Sequence, residues 1–179
     1  MPVVSTALNW AGYVVASNFT NLQPVVEGVS ASWTVPIVTN IGVNAFSSCW
    51  VGVGGEFDHT LIQVGTEQDF VDGFARYSAW YEMLPSTSVT INTVQISPDD
   101  QIQASVLLVN TTENVWTISI SDLTNNESFQ SNFTYNSQRL TAEWIVERPE
   151  INSVLANLAD FGNVTFTGCQ AMLSEKQAE

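Results

Sequence analysis

Apolar and polar residues alternate along most of this chain with a period of two. In the run 101–109, Ile102, Ala104, Val106 and Leu108 fall on one face, and in the next run Trp116, Ile118 and Ile120 do the same. A period of two places successive side chains on opposite sides of an extended strand. The polar segment Asn110-Thr111-Thr112-Glu113-Asn114 lies between these runs, so the pair predicts a β-hairpin. Similar runs occupy 10–18, 27–35, 47–54, 60–66, 74–84, 88–96, 127–134, 139–148 and 161–168. Turn clusters such as Gly54-Gly55, Asp72-Gly73, Pro98-Asp99-Asp100 and Asn125-Asn126 separate them. One stretch departs from the pattern. Between 149 and 161, Ile151, Val154, Leu155 and Leu158 recur at helical spacing, with Pro149 suited to a helix start and Gly162 to a stop. The whole predicts an all-β protein, a β-sandwich of two antiparallel sheets, with one short helix near the C-terminal end. The chain shows no repeat, linker or low-complexity tract, and its 179 residues, 45% hydrophobic, are enough for one domain spanning 1–179.

Charge changes this picture. Eighteen acidic residues face four basic ones (Arg76, Arg139, Arg148 and Lys176) and one histidine, His59, giving a formal net charge of -14 at pH 7. In acid the carboxylates take protons near their reference pKa of ~4, leaving at most about +6. A chain so poor in cations escapes the acid repulsion that unfolds ordinary domains, which predicts tolerance of low pH. A basic face for nucleic acid does not exist, so phosphate-backbone binding is not expected. No apolar run approaches the ~20 residues of a membrane-spanning helix. Charged residues make up only 12% of the chain, and a surface built from Ser, Thr, Asn and Gln suits a secreted protein. Sequons at Asn18, Asn110, Asn126, Asn132 and Asn163 agree with export. Met1-Pro2-Val3-Val4 lacks the basic start and apolar core of a signal peptide and reads as a mature or trimmed form. Cys49 and Cys169 leave two readings open, one long-range disulfide or two free thiols. Two separated cysteines and one histidine lack zinc-ligand spacing, so no metal and no cofactor are expected.

Strand alternation makes the polar residues informative. Leu61, Gln63, Gly65 and Glu67 share a face, with Ile62 and Val64 opposite. Glu82 shares a face with Trp80, and Glu143 and Glu147 share one with Ile145, while Trp144 points the other way. A carboxylate on such an apolar strand is paired, solvated in a groove, or used. Nucleophilic catalysis has little support: His59 lies in a turn-like segment, no nucleophile elbow is present, and Cys49 falls on a probable core strand.

Five motifs occur in order: Asn9-Trp10-Ala11-Gly12, Trp50-Val51-Gly52-Val53-Gly54-Gly55, Leu61-Ile62-Gln63-Val64-Gly65, Ala79-Trp80-Tyr81-Glu82 followed by Pro85, and Ala142-Glu143-Trp144-Ile145-Val146-Glu147. In order and spacing they resemble the glutamic peptidases, or eqolisins, over about residues 8–148. The resemblance implies a sandwich of two bent antiparallel sheets, a concanavalin-like jelly roll, and a secreted, pepstatin-insensitive acid endopeptidase acting on protein or peptide substrates. The sequence does not fix the oligomeric state, and a monomer is the favoured expectation. The resemblance carries the catalytic pair onto Gln63 and Glu143, and substrate-cleft positions onto Trp10, Trp50, Glu67, Trp80 and Glu82. Departures fall at Gly54, where fungal members have an aspartate, at Ser78, often acidic there, and at Leu84, a tyrosine there. They point to a prokaryotic-type member.

The implied chemistry is coherent. Water attack on a peptide bond needs a base, a donor for the developing oxyanion and an acid for the leaving nitrogen. A glutamate supplies the first and last, and a glutamine amide supplies the donor at any pH. Partial ionisation in acid requires nearby donors, Gln63 among them, to hold the Glu143 pKa low. Three other readings stay open: a lectin-like sugar-binding sandwich with stacking tryptophans, a glycosidase using Glu82 and Glu143, and a family member that has lost activity.

Overall fold

The computed structural model describes residues 4 and 6–174. In chain order its strands are β1 (Trp10–Val15), β2 (Val26–Thr34), β3 (Ser48–Gly54), β4 (Leu61–Val71), β5 (Phe74–Met83), β6 (Val89–Ile91), β7 (Gln101–Asn110), β8 (Val115–Asp122), β9 (Glu127–Thr134), β10 (Ala142–Glu147), β11 (Glu150–Ile151), β12 (Val154–Leu155) and β13 (Thr167–Leu173). A six-stranded sheet has the order β1-β10-β3-β4-β5-β6 and a five-stranded sheet the order β13-β2-β7-β8-β9. Every paired strand is antiparallel.

The sheets pack face to face because each strand presents an apolar side inward. Val29, Ala31 and Trp33 of β2, Ile102, Ala104 and Val106 of β7, and Trp116, Ile118 and Ile120 of β8 meet Val51 and Val53 of β3, Ile62 and Val64 of β4, and Ala142 and Trp144 of β10. Burial of these aliphatic and aromatic side chains is the main term holding the sandwich together, roughly 1.5–3 kcal/mol for each large one. Polar groups inside this layer are paired: Trp33 Nε1 donates to Thr66 Oγ1 at 3.1 Å, and Trp144 Nε1 donates to Ser30 O at 2.9 Å. Cys49 is buried, donating its thiol to Gln68 Oε1 at 3.3 Å, and Cys169 is exposed, so both are free thiols.

Local chemistry sets the turns. Asp72 and Gly73 adopt positive φ angles of 55° and 84°, the two left-handed residues that a tight hairpin between β4 and β5 requires. The predicted β7–β8 hairpin is present, with Asn114 at φ 52° in its turn. β4 runs further than its alternation indicated, and the 161–168 run is shifted toward the later β13.

The short helix expected between 149 and 161 is not formed. That segment makes the small β11–β12 hairpin instead, with Asn152 and Ser153 at φ 53° and 62°. Isolated bridges then tie it to the front sheet's approaches: Phe46 pairs with Leu158 and Thr39 with Asp160. Asn and Ser in mid-segment are weak helix formers and favour turns. The apolar residues that mimicked a helical stripe have no common core to bury against, since Ile151, Val154 and Leu158 are all exposed.

Two connections bear on the site. The Tyr135 hydroxyl, just after β9, accepts from Leu61 N at 2.8 Å and donates to Leu84 O at 2.8 Å. It thereby fastens the start of β4 and the end of β5 to a segment arriving from the opposite sheet. At one end of the sandwich, buried Asp100 and Asp122 share one partner, with Asn125 Nδ2 donating to Asp100 Oδ1 at 3.2 Å and to Asp122 Oδ2 at 2.6 Å.

Candidate active site

The outward side of the six-stranded sheet carries the polar residues singled out from the sequence, arranged in rows across the strands. One row reads Val14, Glu143, Gly52, Gln63, Glu82 across β1, β10, β3, β4 and β5. Two residues along the strands, the next reads Gly12, Ile145, Trp50, Gly65, Trp80. Two further, it reads Trp10, Glu147, Ser48, Glu67, Ser78. Glu143 and Gln63 are therefore two strands apart, about 9.5 Å between backbones at the usual inter-strand spacing, with only a glycine between them. A Cβ at Gly52 would stand 3.0 Å from Leu61 Cδ1 and 3.1 Å from Gln63 Cβ. The missing side chain is what leaves room between the two functional groups.

A cleft of about 630 Å³ opens over this face, lined among others by Trp10, Gln63, Glu67, Trp80, Glu82 and Glu147. Its floor is a second apolar cluster of Trp50, Leu61, Trp80 and Ile145, with Trp10, Val14 and Leu84 packed on it. Trp10 meets Trp50 edge to face at 5.0 Å. Gly65 keeps the floor low, because a Cβ there would meet Cys49 O at 2.2 Å and Trp50 Cβ at 2.6 Å.

Polar contacts fix the side chains. Gln63 Nε2 donates to Glu82 Oε2 at 2.7 Å, Ser78 Oγ to Glu67 Oε2 at 2.9 Å, and Trp50 Nε1 to Glu147 Oε2 at 2.8 Å. Trp50, placed by resemblance among the cleft residues, is wholly buried within the floor and holds Glu147 from there. Glu143 is 0% exposed and Gln63 3%. The cleft reaches Gln63 and stops short of the Glu143 carboxylate.

Among the described residues, the buried side-chain polar atoms without a hydrogen-bond partner are Asp58 Oδ2, Gln63 Oε1, Trp80 Nε1, Thr141 Oγ1 and both oxygens of Glu143. Gln63, Trp80 and Glu143 point to the outward face of the six-stranded sheet, Thr141 lies two residues before Glu143, and Asp58 lies on the loop that leads into β4. Buried polar groups are costly to leave without partners, which makes this face the candidate site.

Burial also governs protonation. Desolvation raises the Glu143 pKa well above the ordinary carboxylate value, and charge on Asp58 and Glu56 adds to it. Thr141, which approaches without hydrogen-bond geometry, and the Gly54 amide oppose this. The expectation that Gln63 would hold this pKa low is overturned: its amide is given to Glu82, and desolvation dominates. Glu82 and Glu147 are likewise raised, first by burial, against the Gln63 and Trp50 donors. Asp69, further along the same cleft, is raised to about 7, by burial and then by the Glu67 charge. His59 is exposed on the 54–60 loop, away from these contacts. Gln63 stands between Glu82 and Glu143 in the row, which argues against a close carboxylate pair of the glycosidase type, ~5–5.5 Å apart in retaining enzymes.

The two-sheet sandwich thus sets a glutamate and a glutamine in one row of its outward face, on either side of a glycine. The chain belongs to the peptidase A4 family, whose model matches residues 8–179. It is 34% identical over 130 residues to aspergillopepsin-2 of Aspergillus niger, a match covering 70% of this chain and 45% of that protein. Its structure is similar to scytalido-glutamic peptidase bound to a transition state analog inhibitor, with TM-score 0.76 and 29% identity over 92% of this chain and 80% of the other. It also resembles SCP-B, an eqolisin family peptidase in complex with the tripeptide Ala-Ile-His, with TM-score 0.71 and 28% identity over 92% and 79%.

Sequence reasoning missed Asp58, Asp69 and Tyr135. Asp69 was legible as the next outward position of β4 after Glu67. Asp58 and Tyr135 lie outside regular strands, where alternation gives no signal.

Proposed function

We propose that this chain is a secreted acid endopeptidase that hydrolyses peptide bonds with a glutamine–glutamate pair, without a metal or covalent intermediate. The row Glu143–Gly52–Gln63 carries the reading, because it leaves a space the size of one side chain between a carboxylate and an amide whose remaining polar atoms have no partner. Glu143, ionised, takes a proton from water as that water attacks the peptide carbonyl carbon. Gln63 keeps one amide hydrogen on Glu82 and offers the other to the oxyanion. Glu143 then returns its proton to the leaving nitrogen as the C–N bond breaks. Trp10, Trp80, Glu67 and Glu82 line the substrate channel, and Trp50 supports it from below.

Glu143 is shut off from solvent on the face that also carries the apolar cluster of Trp50, Leu61, Trp80 and Ile145, which fits a resting form that a bound peptide opens. The raised proton affinity of Glu143 makes it a stronger base once ionised and moves its working range upward from that of an ordinary carboxylate. The family assignment and the peptide-bound relatives support a protein or peptide substrate. The test is digestion of an unfolded protein across pH 2 to 7 with Glu143→Gln as control. Equal cleavage by that variant would remove the assignment.

A further inference from the structure

The ladder between β4 and β5 changes character at its last pair. Leu61 and Leu84 stand opposite each other, one step beyond the Ile62–Met83 pair. In an antiparallel ladder a hydrogen-bonded pair exchanges two bonds, each residue donating to the other. Leu84 N makes one of them, to Leu61 O at 2.9 Å. Leu61 N donates instead to the Tyr135 hydroxyl at 2.8 Å, and that hydroxyl donates on to Leu84 O at 2.8 Å. A phenol from the crossover between β9 and β10 thus takes the place of a ladder bond. Two bonds in series span a gap that one of about 2.9 Å usually closes, so the strands open on this side of the pair. The tyrosine is itself fixed to the five-stranded sheet: its N donates to Asn114 O at 3.0 Å, and its O accepts from buried Trp116 Nε1 at 3.0 Å.

We propose that Tyr135 is a positioning residue for the Gln63 amide: standing in for one ladder bond, it sets the spacing of β4 and β5 at which Glu82 holds that amide and leaves its second hydrogen free for substrate. This rests on the reading of Gln63 as the oxyanion donor. The next pair of the same kind along the ladder is Gln63 with Glu82, two residues from the inserted hydroxyl on each strand. Their side chains are joined by the 2.7 Å bond from Gln63 Nε2 to Glu82 Oε2. The separation of the two backbones therefore decides the direction in which the carboxylate draws the amide. Tyr135 is not among the residues lining the cleft, and it acts through Leu61 and Leu84, which are. Burial raises the phenol pKa above its ordinary value, so the hydroxyl keeps its proton and both bonds throughout the acid range. The spacing is thus held by a group that does not titrate where the carboxylates of the cleft do.

The test is Tyr135→Phe, which keeps the ring and removes both bonds. It is read first in the side-chain amide signals of Gln63 by ¹⁵N NMR, assigned by their absence in Gln63→Ala. In the unaltered protein the hydrogen given to Glu82 is expected downfield of its geminal partner, and in the variant that separation should narrow. On a peptide substrate kcat should fall about 10-fold with KM within about twofold. The fall should disappear in a Glu82→Gln background, because both changes undo one arrangement. Tyr135→His, whose shorter ring reaches neither partner, serves if the phenylalanine variant folds poorly. Gln63 signals that stay in place, a kcat that does not fall, or an equal fall in both backgrounds overturns the inference. A lowered Tm does not rescue it, since losing two hydrogen bonds can reduce stability without turning one particular amide. If the Gln63 signals move while the unaltered protein cleaves no peptide, the endopeptidase reading fails and the positioning by Tyr135 stands.

Discussion

Gln63 donates its amide nitrogen to Glu82 at 2.7 Å, a residue on the opposite side of β4 from Gly52 and Glu143. The glutamine is therefore oriented by a carboxylate on its far side. Replacing Glu82 by Gln removes the charge that selects the NH₂ end of Gln63, so the amide can rotate and present its oxygen to the developing oxyanion. A fall of about 10- to 100-fold in kcat, with little change in KM, is expected from losing one oriented donor. Steady-state kinetics on a peptide substrate measure it, and an unchanged kcat would show that Glu82 does not orient the amide.

Glu143→Gln and Gln63→Ala are each expected to lower proteolysis by ~10³-fold or more, the scale of losing the acid–base group or an oxyanion donor. Circular dichroism should remain close to that of the unaltered protein and Tm should move by only a few degrees, because Glu143 has no hydrogen bond to lose and Gln63 loses one, to Glu82. EDTA and pepstatin-type inhibitors are expected to leave activity unchanged. Strong inhibition by either would redirect attention to a metal or an aspartate dyad.

Gly52→Ala probes the space itself. The backbone there tolerates a side chain, but the methyl would press on Leu61, Trp50 and Gln63 at 3.0–3.1 Å and project between the two functional groups. A displacement of a few tenths of an ångström at Gln63 is expected to cost about 10- to 100-fold in kcat/KM, with Tm lowered by only a few degrees. Full activity in this variant would mean that the reacting water does not lie over Gly52.

Stability should fall as pH rises from 4 to 7. Burial lifts the Asp69, Asp100, Glu82, Glu143 and Glu147 carboxyls above their ordinary values. Each holds its proton more tightly in the folded chain than in the unfolded one. The stability they lend is complete below ~4, the unfolded value, and is lost as pH climbs through the folded values, about 7 for Asp69. The net charge of -14 at pH 7 adds repulsion in the same direction. Calorimetric Tm values should decline across this interval, and less steeply in Asp100→Asn, which breaks up the buried pair with Asp122. A flat or rising series would contradict the account.

How much of this was visible in the sequence depended on alternation. The faces of β4 and β10 were legible because Gln63, Glu67, Glu143 and Glu147 sit at even spacings among apolar residues, and strand pairing then brings them onto one face of the six-stranded sheet. The 149–161 segment was misread because Ile151, Val154, Leu155 and Leu158 fit a helical stripe as well as a hairpin. The choice was made by tertiary pairing with Phe46 and Thr39, which no local pattern encodes. The protonation of Glu143 was misjudged for a related reason: the sequence shows which donors exist, and only the fold shows that Gln63 is already engaged elsewhere.

Tyr135 adds a constraint on how this chain can vary. One phenol oxygen serves both the amide that opens β4 and the carbonyl that closes β5, while Leu84 N also binds Leu61 O at 2.9 Å. The two loops at that end of the cleft, 54–60 and 84–88, are thereby anchored to a single atom. Each can lengthen or shorten outward from its anchor, but neither can shift its root without dragging the other, so insertions that reshape the substrate entrance are confined to the loop tips.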